Sequence, residues 1–132
     1  MIQKNVLRAD RIRKIDGGFS FIPHRFLTDG FLSALSQKEL LLYFFLVLVS
    51  DRYGLSFYSY DVICSLLEIS VDEYIIARDG LIKNDLIAFD GTLFQVLNLP
   101  QQPNKTRAVR EERRSQVQNL IQRSLWEVQS GP

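Results

Sequence analysis

Ser70-Val-Asp-Glu-Tyr-Ile-Ile-Ala-Arg-Asp-Gly-Leu-Ile-Lys-Asn-Asp-Leu-Ile-Ala-Phe-Asp-Gly91 is the stretch on which the fold turns. It opens on a capping box, because the hydroxyl of Ser70 can satisfy the N–H of Glu73 while the Glu73 carboxylate reaches back. A helix is predicted over residues 71–84. Tyr74, Ala77 and Leu81 recur at i, i+3 and i+7 and form its inward stripe, while Asp72, Glu73, Ile76, Asp79 and Lys83 lie on other faces. Residues 86–89 and 92–97 then flank Asp90-Gly91, a strong short signal for a two-residue hairpin.

Working back from Ser70, a second helix is expected from Tyr60 to about Glu68, capped by Ser59 and turning Ile63, Leu66 and Leu67 inward. Two short helices joined so tightly read as a helix-turn-helix. Before them, residues 55–58 have strand character, and Asp51-Arg-Tyr-Gly54 ends the helix that precedes them. That helix opens on another capping box, Ser36 with Glu39, and runs through the apolar block 40–49, which predicts burial nearly all round. Pro23 suits the first turn of a helix over residues 23–35, with Gly30 as its weak point. Residues 11–15 and 19–22 around Asp16-Gly17-Gly18 suggest a hairpin, and a short helix fits the same residues almost as well.

From residue 36 to 99 this order resembles the winged helix-turn-helix superfamily. The run Ala77-Arg-Asp-Gly-Leu-Ile-Lys-Asn-Asp-Leu-Ile-Ala-Phe-Asp-Gly91 is similar to the passage from recognition helix into wing of bacterial regulators and replication-initiation proteins. The resemblance covers about half of the chain. It implies a mainly α protein with a small β wing (α+β), followed here by a C-terminal helix. It also implies a non-enzymatic DNA-binding function in regulation or replication initiation. The helix over residues 71–84 would then enter the major groove, with Arg78, Lys83 and, from the wing, Gln95 at the DNA. The same superfamily includes protein-interaction modules, and an acidic third helix suits an adaptor.

Charge qualifies that picture. The chain has 132 residues, 46% hydrophobic and 23% charged, with net charge +1. Residues 1–18 hold five basic and two acidic groups, residues 19–100 five and ten, and residues 101–132 six and three. An acidic middle thus lies between basic arms. We divide the chain into a basic arm (1–22), the helix-turn-helix domain (23–100), and a linker with a basic amphipathic helix (101–132), the break being marked by Pro100 and Pro103. Phosphate contacts are expected from Arg11, Arg13 and Lys14 in the first arm and from Arg107, Arg110 and Arg114, which fall on one helix face, in the last. A solvated helix with Arg107 paired to Glu111 explains those arginines equally well. Val117, Leu120, Ile121, Leu125 and Val128 form an apolar stripe that must be covered, by a twin in a homodimer or by the chain's own core.

Candidates for catalysis fail. His24 and Cys64 are the sole residues of their kinds, so no zinc ligand set and no disulfide are expected; a capping or surface role for His24 and a core role for Cys64 are the commoner readings. The pairs Asp72/Glu73 and Glu111/Glu112 put carboxylates on different faces, and no glycine-rich phosphate loop occurs. The composition points to a cytoplasmic protein without cofactor, and ten apolar residues at 40–49 are too few to span a membrane. Phe57, Tyr58 and Tyr60 cluster between strand and helix, where exposed rings would stack on unpaired bases. Burial of Phe57 in the core, with the tyrosines hydrogen-bonded at the surface, is the commoner alternative.

Overall fold

Capping chemistry sets both long helices of the computed structural model, which describes residues 2–103, 121–123 and 125. The elements are α1 (Arg25–Thr28), α2 (Gln37–Val49), β1 (Leu55–Ser56), α3 (Tyr60–Leu67), α4 (Val71–Lys83), β2 (Ile87–Phe89) and β3 (Phe94–Val96), with 3-10 turns at Ala9–Arg11 and Leu32–Ala34. At α2 the Glu39 N–H donates to Ser36 Oγ at 3.2 Å and the Ser36 N–H to Glu39 Oε1 at 2.7 Å. At α4 the Glu73 N–H donates to Ser70 Oγ at 3.0 Å and the Ser70 N–H to Glu73 Oε1 at 2.9 Å. Both predicted boxes are present, and each satisfies two donors that a helix start leaves open.

The result is an α+β arrangement. A three-stranded antiparallel sheet has the order β1-β3-β2, so β3 is central and pairs Gln95 with Leu55 on one side and with Ala88 on the other. Side chains alternate along β3: Phe94 is fully buried, Gln95 is exposed. α4 packs on α2 and α3, and α2 also touches β3. Leu42 and Leu46 from α2, Ile63 from α3, Leu81 from α4, and Leu86 and Phe94 from the sheet region fill the centre. The stripe Tyr74, Ala77 and Leu81 faces this core as the periodicity predicts. Ala77 and Gly80 are small where α4 meets α2; a Cβ on Gly80 would collide with the buried Glu39 carboxylate.

Arg25 closes the domain on itself. Its terminal nitrogens donate to the carbonyls of Pro100 at 2.6 Å and Leu99 at 3.3 Å, its Nε pairs with Asp29 at 3.0 Å, and its guanidinium lies 5.5 Å from the Phe31 ring centroid. The first helix therefore holds the segment that follows β3. Nothing local in the sequence signals this bond across 75 positions.

Several expectations are corrected. Residues 11–15 and 19–22 form no hairpin; Gly17 does turn (φ 74°), but no third strand covers the pair, and an isolated two-stranded ribbon is marginal in water. The helix expected over residues 23–35 stops at Thr28, because Gly30 takes φ 92° and the chain re-forms only a 3-10 turn. α2 is not buried all round: Leu41, Phe44 and Leu48 are 37%, 51% and 56% exposed, since its packing partners α4 and β3 cover one side only. Leu66 of α3 is likewise exposed. β1 is two residues long rather than four. The loop between β2 and β3 has four residues, because Asp90 Oδ1 accepts from the N–H groups of Thr92 at 2.9 Å and Leu93 at 2.7 Å and closes a wider turn than a two-residue one.

Ile121, Gln122, Arg123 and Leu125 are helical, with Ile121 and Leu125 half-buried and Gln122 and Arg123 exposed. Arg107, Arg110, Arg114, Val117, Leu120 and Val128 lie outside the described residues. No helix among the described residues is long and apolar enough to cross a membrane.

Candidate functional site

A concavity opens where the β1–α3 link, the first turns of α4 and the β2–β3 loop meet, and it has a volume of about 570 Å³. Its floor is made by Tyr74 and Phe89, its mouth by Phe57, Tyr58 and Tyr60. Each ring is placed by a local signal. β1 ends at Ser56, so Phe57 leaves the sheet without a strand neighbour. Ser59 starts α3 and puts Tyr60 at its first position. The Ser59 hydroxyl donates to Asp61 rather than accepting a helix N–H, which corrects the expected side-chain cap.

Phe57 is 68% exposed, Tyr58 38% and Tyr60 56%. Phe57 is therefore not a core residue, whereas Phe94 is fully buried and stacks on Phe89 at 4.3 Å. Tyr58 meets Phe45 edge to face at 5.5 Å, so its ring is anchored from beneath.

Arg78 forms one wall. Its guanidinium lies 5.5 Å from the centroid of Tyr74 and 5.3 Å from that of Phe89, and it hydrogen-bonds the Tyr74 hydroxyl. Two of its nitrogens also reach Asp79 Oδ1 at 3.2 Å; with Asp79 largely exposed, that pair contributes little. The resemblance implies a groove-facing Arg78, whereas the fold turns it onto two rings at the cleft. Burial pushes the Tyr74 phenol above its ordinary value, against the pull of Arg78, so it stays protonated near neutral pH.

The other expected binding residues are not gathered there. Lys83 is exposed at the C-terminal end of α4, and Gln95 is exposed on the outward face of β3. Arg11, Arg13 and Lys14 are exposed along the N-terminal arm, and Arg8 next to them pairs with Asp10 at 3.0 Å. The free face of α4 carries Asp72, Asp79 and a 72% exposed Ile76, while Glu73 pairs with Lys38 at 3.5 Å. His24 precedes α1, and its carbonyl accepts from Leu27 and Thr28. Cys64 sits at the edge of the core and donates its thiol to the Ser70 carbonyl at 3.7 Å; desolvation and Asp61 push its pKa up, the wrong direction for a nucleophile. Among the described residues no group of three His, Cys, Asp or Glu is placed to hold a metal.

Acid should loosen the fold at identifiable points. The Ser70 N–H, and then Lys38, hold Glu73 below its ordinary value, and the N–H groups of Leu93 and Thr92 do the same for Asp90. Both values are depressed in the folded state, so this stabilisation is fully present above the ordinary carboxylate range. It is lost as pH falls through the depressed values. The thermal midpoint is expected to drop on acidification below about pH 4, and Glu73→Gln to flatten that dependence. A midpoint series against pH, for both proteins, checks it.

Comparison with family models, curated proteins and solved structures finds no match to this chain.

Proposed function

We propose that the chain is a DNA-binding protein of regulatory or replication-initiation type, built on a winged helix-turn-helix plan. One observation carries the reading: α3 and α4 are joined through Glu68, Ile69 and Ser70 alone, and the hairpin that follows is locked into one sheet with β1. In that plan α4 is the helix offered to DNA and β2–β3 the wing. The acids on α4 oppose phosphate, so the cations come from the arms, with Arg11, Arg13 and Lys14 exposed for the purpose.

Gel-shift binding to random duplex at several salt concentrations tests this. Affinity should fall steeply with salt, and replacing Arg11, Arg13 and Lys14 together by alanine should reduce the log–log slope by about 3, equally for all sequences. No binding at low salt, or affinity indifferent to salt, overturns the proposal.

A second reading, an adaptor that binds a basic protein, is favoured by the exposed Asp72, Ile76 and Asp79 on one helix. A partner retained from cell extract after nuclease treatment, and lost in Ile76→Asp, supports it. In either reading the terminal stripe is a candidate dimer contact, with Ile121 and Leu125 at its centre.

A further inference from the structure

We infer that the aromatic cleft receives an unpaired base of a DNA strand, with Phe57 and Tyr60 as stacking surfaces and Arg78 as its electrostatic wall. This rests on the nucleic-acid reading and names the form of DNA that the cleft takes.

Two exposed rings at the mouth of a concavity expose apolar faces that the chain itself leaves in water, at 68% and 56%. A flat aromatic ligand covers such faces without needing a particular hydrogen-bond pattern. The volume of about 570 Å³ falls in the range of small-ligand sites. Arg78 is the one charged residue among the described residues lining the cleft; its ion-pair partner Asp79 is largely exposed and does not line it. Its guanidinium is already laid over Tyr74 and Phe89, so little side-chain freedom remains to be lost when an anion approaches.

The occupant is a strand rather than a duplex, because bases inside a duplex are stacked on their neighbours and offer no face to Phe57.

The test uses the full chain and three probes: a thymine-rich strand of about 12 nucleotides carrying one 2-aminopurine, its duplex, and the free 2-aminopurine nucleotide. The strand should bind with a change in 2-aminopurine fluorescence. Phe57→Ala and Tyr60→Ala should each weaken it about tenfold, while duplex affinity stays within about twofold. Phe57→Tyr, which keeps a ring, should restore strand binding, and unchanged melting curves should accompany all three exposed-site variants. Duplex binding with no 2-aminopurine response, or strand affinity indifferent to both alanine variants, overturns this inference and leaves the DNA-binding proposal standing. No binding of any DNA overturns both. Equal affinity for the free nucleotide assigns the cleft to a small molecule, and loss of self-association in Phe57→Ala without effect on the strand assigns it to a second copy; either result overturns the inference.

Discussion

Phe94→Ala should cost about 3–5 kcal/mol and bring the domain close to unfolding at room temperature. Phe94 is fully buried at the start of the central strand, opposite Ser56 on one side and Phe89 on the other, and its ring stacks on Phe89 at 4.3 Å. Truncation removes the ring's transfer energy and leaves a cavity that three elements meeting there, α2, β1 and β2, cannot all move to fill. Phe94→Leu keeps most of the volume and should cost less than about 1.5 kcal/mol. Urea unfolding followed by circular dichroism separates the two. Equal midpoints for Phe94→Ala and the parent would mean that the sheet is peripheral to the fold.

Gly80→Ala should destabilise by roughly 2 kcal/mol, although in most helix interiors the same change gains about 1. The new methyl would occupy the position of the Glu39 carboxylate, which is buried and holds the Ser36 N–H at 2.7 Å. Displacing it undoes half of the capping box of α2 and leaves a buried polar group to be re-partnered, each worth about 1 kcal/mol or more. The sign therefore depends on Glu39. In a Glu39→Ala background, itself weakened by loss of the cap, Gly80→Ala should become stabilising by about 1 kcal/mol. A double-mutant cycle reads this directly, and additive effects would show that the two residues do not meet.

Features encoded within a few residues are legible in the sequence. Ser36 with Glu39, Ser70 with Glu73, and the spacing of Tyr74, Ala77 and Leu81 each specify local geometry, and each appears as read. Illegible were features that depend on what lies across the fold. The outer face of α2 carries the same kind of residues as its inner face, so composition alone did not distinguish Phe44, exposed, from Phe45, buried. Asp90-Gly91 signals a turn, and the Asp90 side chain then decides its length. Of the candidate site, the ring cluster 57–60 is visible in the sequence while its exposure is not, since exposure depends on where β1 ends, at Ser56. The part played by Arg78 was missed because helical periodicity gives its direction but not the presence of Phe89 beside it.

The position of β3 bears on how the chain matures. The sheet joins Leu55 to Gln95, forty positions later, whereas α3 and α4 are sequence neighbours. Helical contacts can form early during synthesis, but β1 has no hydrogen-bonding mate until β3 has left the ribosome. A nascent chain stalled before that strand would display Leu55 and Ser56 as a bare edge, and the arrival of residues 94–96 is the event that closes it.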